Sequence, residues 1–144
     1  MVEQKKVAPY NKPLPGMTPD TEEYWEGCRR HELMLQRCRA CGTFRFYPGP
    51  ICQHPDCVSM EFDWVKTSGK GEVYTMTIVV RPPNEMWADL VPYALVVIKL
   101  DEGPTIFSRA VDVPAWDVKI GMRMEVVFED VTENVTLPLF RPAK

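Results

Sequence analysis

From residue 93 to residue 100 the chain reads YALVVIKL, an almost unbroken apolar run. A strand of that composition must keep both faces from water, as happens in a closed or covered sheet. Its neighbour over 72–81 is expected to behave alike. Over 122–129 the pattern turns to alternation, with Met124, Val126 and Phe128 pointing one way and Arg123, Glu125 and Glu129 the other. One face there is buried and one meets solvent. Runs at 105–111 and 137–141 bring the number of strands to five after residue 66, the content of a small barrel. Asp101-Glu102-Gly103-Pro104 supplies a tight reversal between two of them, and Gly121 a turn before the next.

Upstream the pattern differs. Residues 1–17 carry Pro9, Pro13, Pro15 and Gly16 and cannot sustain a helix or a sheet interior, so they predict an extended arm. Val7, Tyr10, Leu14 and Met17 give that arm something to lay on a surface; the alternative is a loose terminus. A helix is predicted from Thr18, as cap, to about His31, with Pro19 at its first position and Asp20, Glu22 and Glu23 matching the positive end of its dipole. Tyr24, Trp25 and Cys28 fall on one face, which must be buried. Gly27 costs about 1 kcal/mol relative to Ala there unless close packing requires it. Leu33 and Leu35 alternate with polar or flexible neighbours as a short strand leading to Cys38. The chain thus divides into an arm and helix (1–37), a cysteine-bearing module (38–65) and a barrel (66–144). No internal repeat or low-complexity stretch interrupts it.

Composition narrows the classes. With 144 residues, 45% of them hydrophobic, the chain is globular; its net charge of -3 removes any general attraction to nucleic acid or anionic membranes. The opening MVEQKKVAPYNKPLP lacks the apolar core of a signal peptide, and no stretch approaches the roughly 20 apolar residues that span a bilayer. A cytoplasmic protein with reduced thiols is expected, so the five cysteines read as metal ligands plus a spare rather than as disulfides.

The spacing of four of them is specific. Cys38-Arg39-Ala40-Cys41-Gly42 is a metal knuckle, and Cys52 and Cys57 complete CxxC-x10-CxxxxC. Four thiolates make a closed tetrahedral shell with no position left for water or substrate, which points to structural zinc. Iron in a rubredoxin-like arrangement uses the same ligands, but nothing in CQHPDC speaks for electron transfer. Structural zinc supplies about 10–16 kcal/mol of apparent binding energy, comparable to the net stability of a whole domain, about 5–15 kcal/mol. His54 is too close to Cys52 to replace it comfortably and belongs to the turn with Pro55; His31 belongs to the helix end, and Cys28 to a buried face.

No catalytic set emerges. The two histidines sit in turn or helix-end positions, and the sequence holds no Ser-His-Asp arrangement, no phosphate-cradling glycine loop and no open metal site. Two features invite a partner instead. Arg29, Arg30, Arg37, Arg39 and Arg45 stand against Glu32 alone between 28 and 45, either a phosphate- or carboxylate-binding patch or a solvated face. The loop 82–91 carries Met86, Trp87, Leu90 and Val91, either a contact surface or a flap packed on its own barrel. With Trp25 on the helix, these arginines and Met86 and Trp87 are the candidate partner or ligand contacts.

The runs EYWEGCRRHELMLQRCRACG, FYPGPIC, GKGEVYTMTIVVR, PYALVVIKLDEGP, VKIGMRMEVVFED and LPLFRPA together resemble the acyl-CoA-associated OB-fold proteins that carry an N-terminal rubredoxin-like zinc ribbon. The likeness covers almost all of the chain after Thr18. It implies a mainly β fold in which arm and helix lead into the ribbon and then a five-stranded OB-fold barrel. It implies zinc on Cys38, Cys41, Cys52 and Cys57, and a thiolase-like large subunit that supplies the catalytic residues and most of the binding of CoA and its thioester. The family's second pair is commonly CxxC, whereas here QHPD widens it. Two other functions are weighed against this one: single-stranded nucleic-acid binding, which OB folds and ribbons also perform but which the charge opposes, and a free-standing acyl-CoA carrier using the arginine patch.

Overall fold

In the computed structural model, which describes residues 10–144, an irregular stretch leads into one helix, α1 (Glu22–Arg29). The expected arm runs without regular structure from Tyr10 to Met17; its first nine residues, Val7 and Pro9 among them, lie outside the described part. Three strands follow as a small antiparallel sheet: β1 (Met34–Cys38), β2 (Phe44–Arg45) and β3 (Phe62–Lys66), in the spatial order β2-β1-β3. The rest is a five-stranded antiparallel sheet of β4 (Lys70–Val79), β5 (Tyr93–Leu100), β6 (Thr105–Arg109), β7 (Arg123–Asp130) and β8 (Thr136–Pro142), ordered β6-β5-β4-β7-β8. This sheet curls until its edges meet. Ala110 and Phe140 form a parallel bridge, the Val111 N–H donates to the Phe140 carbonyl, and the Ser108 hydroxyl donates to the Pro138 carbonyl. The fold is mainly β, a ribbon followed by a nearly closed five-stranded OB barrel; the strand pattern predicted the five-stranded barrel, and the resemblance implied the ribbon and the OB fold.

β4 is the hinge of the barrel because its start pairs on both edges: Gly71 lies opposite Leu100 of β5 and Met124 of β7. Any Cβ at Gly71 would run into the Lys99 carbonyl and the Ile98 side chain, so glycine lets the walls approach. A register slip between Val73 and Thr75 then bends the strand. β5 behaves as its composition demands, with Tyr93, Ala94, Val96, Ile98 and Leu100 buried and only Lys99 fully exposed. β4 does not match its expected likeness to β5. It alternates at its start, with Val73 buried and Tyr74 61% exposed.

α1 begins one turn later than the position of Thr18 predicts. Thr18 instead opens a turn in which the Thr21 N–H donates to the Thr18 carbonyl and the Thr18 N–H donates to Thr21 Oγ1; Pro19 suits such a turn as well as a helix. The predicted face is buried: Tyr24, Trp25 and Cys28 join Leu33, Leu35 and the barrel residues Val73, Val96, Ile98, Ile106, Met124 and Phe140 in one apolar cluster. Gly27 is where the Met34 side chain and the Glu32 carbonyl press on the helix, so close packing accounts for it. Among the described residues no helix is long and apolar enough to cross a membrane.

Candidate metal centre and contact residues

β1 ends on Cys38, and the chain reverses immediately. The Gly42 N–H donates to the Cys38 carbonyl and the Cys38 N–H to the Thr43 carbonyl, with Gly42 at a φ of 73° that only glycine adopts without strain. Cys41 stands in that reversal. Cys52 is held by a hydrogen bond from its N–H to the Ser59 carbonyl, and the wide QHPD segment closes on itself as the Cys57 N–H donates to the His54 carbonyl. The extra residues are thus taken up in a turn, and the second knuckle still reaches the first.

All four Sγ atoms lie within 4.8 Å of one another, with 3.8 Å between Cys38 and Cys57 and 3.5 Å between Cys41 and Cys52. A tetrahedron with zinc–sulfur arms of about 2.3 Å has edges of about 3.8 Å, so the donor set and its spacing fit one zinc ion. Cys38 and Cys52 are buried, Cys57 is partly buried and Cys41 is exposed. The Thr43 hydroxyl, 3.2 Å from Cys41 Sγ, and the Thr43 backbone N–H draw the Cys41 thiol down to about 6. Backbone N–H groups of the knuckle, Cys41 first, also lower Cys38. At Cys52 the His54 N–H favours the thiolate, but burial and the neighbouring sulfurs outweigh it and push the thiol up to about 11.

The other thiol and the histidines are spent elsewhere. Cys28 is fully buried, and burial pushes it up to about 12; it packs and does not react. His54 accepts from the Asp56 N–H at its Nδ1, 3.3 Å away, on the outside of the turn. His31 has left the helix in a left-handed conformation. Its ring stacks on Phe128 and its Nε2 lies 3.1 Å from Asp130 Oδ1, so it ties the helix end to β7.

The arginines do not form one open patch. Arg29 pairs with Glu26, Arg30 with Glu23 and Arg39 with Asp63, while Arg37 donates from Nε to the Gly42 carbonyl and lies over the Phe44 ring. Their carboxylates come from outside the 28–45 window, which is why the sequence count looked so basic. Arg45 is no surface residue at all: only 3% is exposed, with Nε donating to Gln36 Oε1 and an NH2 to the Gly49 carbonyl. Trp25 is likewise interior, and its Nε1 donates to the Tyr47 hydroxyl. Met86 and Trp87 share a short 3-10 turn, Glu85–Trp87, capped by Asn84 Oδ1. Met86 is open to solvent, whereas Trp87 leans on Tyr93 and lies under the Lys12 ammonium. Lys12 also pairs with Asp89 at 3.0 Å, so the arm straps the loop 82–91.

Between that loop, the arm and the barrel wall lies a cavity of about 460 Å³ that the sequence reading missed, lined by Tyr10, Trp87, Leu95, Phe107, Leu137 and Leu139. The one legible signal was the alternation of Leu137 and Leu139 in β8, which puts both on the outer face of that strand.

Comparison with known proteins agrees with this geometry. Residues 25–62 match the ChsH2 rubredoxin-like zinc ribbon domain and residues 64–129 the ChsH2 C-terminal OB-fold domain. The chain is 40% identical over 106 residues to a DUF35 domain-containing scaffold protein of Methanocaldococcus jannaschii, covering 73% of each chain. It is 33% identical over 132 residues to a probable enoyl-CoA hydratase alpha subunit of Thermomonospora curvata; that match takes in 92% of this chain but only 40% of the longer relative. A solved Ltp2-ChsH2(DUF35) aldolase chain superposes with a TM-score of 0.80 at 33% identity, over 91% of this chain and all of that one. With ribbon and barrel matched in order and a scaffold relative shared along most of its length, the chain belongs to the DUF35 family, in the ChsH2-type arrangement of a zinc ribbon followed by an OB fold.

Proposed function

We propose that this chain is a non-catalytic, zinc-holding subunit on which a thiolase-type enzyme depends for making or breaking carbon–carbon bonds in acyl-CoA substrates. The observation that carries the reading is the superposition, along its whole length, of a DUF35 chain that belongs to an aldolase. The alpha subunit of an enoyl-CoA hydratase among the relatives points to the same substrate class. In this reading Cys38, Cys41, Cys52 and Cys57 hold structural zinc, the complex works in the cytoplasm, and the partner supplies the catalytic groups and most of the CoA site. Contacts from this chain come from Arg29, Arg30, Arg37, Arg39 and Met86, whose side chains reach the surface; Trp25 and Arg45 support them from inside, and Trp87 from the half-buried loop. The finer assignment follows the likeness of the sequence to the small zinc-finger subunit of benzoylsuccinyl-CoA thiolase, which makes benzoylsuccinyl-CoA, from anaerobic toluene breakdown, the substrate to try first.

Co-expression with a thiolase-like large subunit from the same source tests the proposal. Co-elution in size exclusion, with thiolysis that requires both chains, is the expected outcome; a large subunit that elutes alone and is equally active without this chain ends it. Single-stranded nucleic acid gains little from the barrel. Tyr74 and Phe107 are exposed aromatics, but Arg109 and Arg123 pair with Glu129 and Asp101, so neither is free to follow a phosphate backbone.

A further inference from the structure

The interior arginine of the ribbon has no carboxylate. Arg45 donates to a side-chain amide oxygen and to a backbone carbonyl, both neutral, and its remaining terminal nitrogen is buried without any partner among the described residues. The amide nitrogen of Gln36 is stranded in the same way. A buried guanidinium with only neutral partners is a costly arrangement, and it persists only where something nearby supplies negative potential.

The sheet register says where that potential lies. Arg45 of β2 stands opposite Gln36 of β1, and Cys38, two residues along β1, projects from the same face as Gln36. On the far side of β1, Phe62 of β3 stands opposite Cys38. The Arg45 guanidinium lies 4.8 Å from the centre of the Phe62 ring. To reach it, the side chain must cross β1 on the face that carries Cys38. Arg45 also shares the wall of a second cavity with Cys52 and Thr43. The guanidinium thus crosses β1 on the face that carries Cys38, and Arg45 and Cys52 line one cavity.

We propose that Arg45 is the built-in countercharge of the tetrathiolate centre. Four thiolates around a divalent ion leave roughly two net negative charges, and a low-dielectric interior makes a nearby cation effective. A fixed cation on that face of the ribbon offsets part of this charge and lowers the cost of burying the cluster. The same negative centre repels any free anion from that cavity, which separates this role from an external phosphate or carboxylate site. Arg45 is here a positioning residue. The inference rests on the four-cysteine metal reading.

The test compares Arg45→Met, which keeps the stem over Phe62 and removes the charge, with Arg45→Lys, which keeps the charge and loses the fork. Zinc content of the reduced full-length protein is measured first, then zinc affinity by competition with a chromophoric chelator, then the sulfur-to-metal charge-transfer bands after cobalt substitution. Arg45→Met is expected to bind zinc roughly 10- to 100-fold more weakly, the range seen when groups supporting metal ligands are removed, and to shift the cobalt bands. Arg45→Lys is expected to stay close to wild type in both. Equal weakening in the two variants, with unshifted bands, would mean that the fork merely braces the loop at Gly49 and would overturn the proposal. So would sulfate or acetate binding to the zinc-loaded protein that disappears in Arg45→Met. A wild-type protein without zinc would instead remove the metal reading itself, and zinc equally tight in all three proteins would remove only the role of Arg45.

Discussion

At the scale of single residues, the distinctions that matter are between side chains of one type in different surroundings. Cys41 and Cys28 are both thiols, yet the Thr43 hydroxyl and N–H draw the first down to about 6 while burial pushes the second up to about 12. The thiolate dominates above a group's own value, so at neutral pH the metal-free folded protein carries it at Cys41 and not at Cys28. Brief alkylation of the chelated, reduced protein at pH 7 followed by peptide mass mapping should therefore label the ribbon cysteines, Cys41 among them, and leave Cys28 unlabelled until denaturant is added. Gly71 offers a steric counterpart. An added methyl group there meets backbone across the sheet and not a flexible chain end, so Gly71→Ala should destabilise the barrel by about 1–3 kcal/mol, read as a lower midpoint in urea.

At the scale of elements, the ribbon and the barrel are held by different means. Between Cys38 and Phe62 the only regular structure is the two-residue strand β2, and most of the apolar cluster lies in α1, β1 and the barrel. Metal ligation is what remains to order that loop. Removing zinc with a strong chelator under reducing conditions should abolish amide protection over residues 39–61 while β4, β5 and β7 keep theirs; hydrogen exchange with mass readout distinguishes this from global unfolding. α1 behaves differently again. Its Tyr24, Trp25 and Cys28 are packed into the cluster that includes Phe140 of β8, so it should remain protected with the barrel when the ribbon opens.

At the scale of the whole molecule, closure of the barrel depends on few residues. β6 and β8 share a single bridge, Ala110 with Phe140, and Phe140 is fully buried beneath it. Phe140→Ala should cost about 3–5 kcal/mol, enough to threaten the fold of a small domain; thermal unfolding followed by circular dichroism measures it. On the outside, Val58 and Met60 of the ribbon and Trp116 and Ile120 of the barrel are strongly exposed.

Much of this was legible in the chain because it depends on local rules. Periodicity alone placed five strands to within a few residues, the unbroken apolar run of β5 announced burial on both faces, and the spacing of Cys38, Cys41, Cys52 and Cys57 announced a shared centre before any coordinate did. The start of α1 slipped by a turn because Thr18 and Pro19 satisfy a helix cap and a turn equally well; β2 escaped notice because two residues carry no pattern, and β3 because its Phe62-Asp63-Trp64-Val65-Lys66 breaks alternation at Val65. What the tertiary structure decided was which charges and aromatics face outward. Glu23, Glu26 and Asp63 approach the arginines only after folding, and Arg45 becomes interior only because β3 comes back beside β1 and sets Phe62 under its guanidinium. Ligand spacing and strand period act along a few residues of chain, whereas burial of a charge is set by whatever the fold brings from elsewhere.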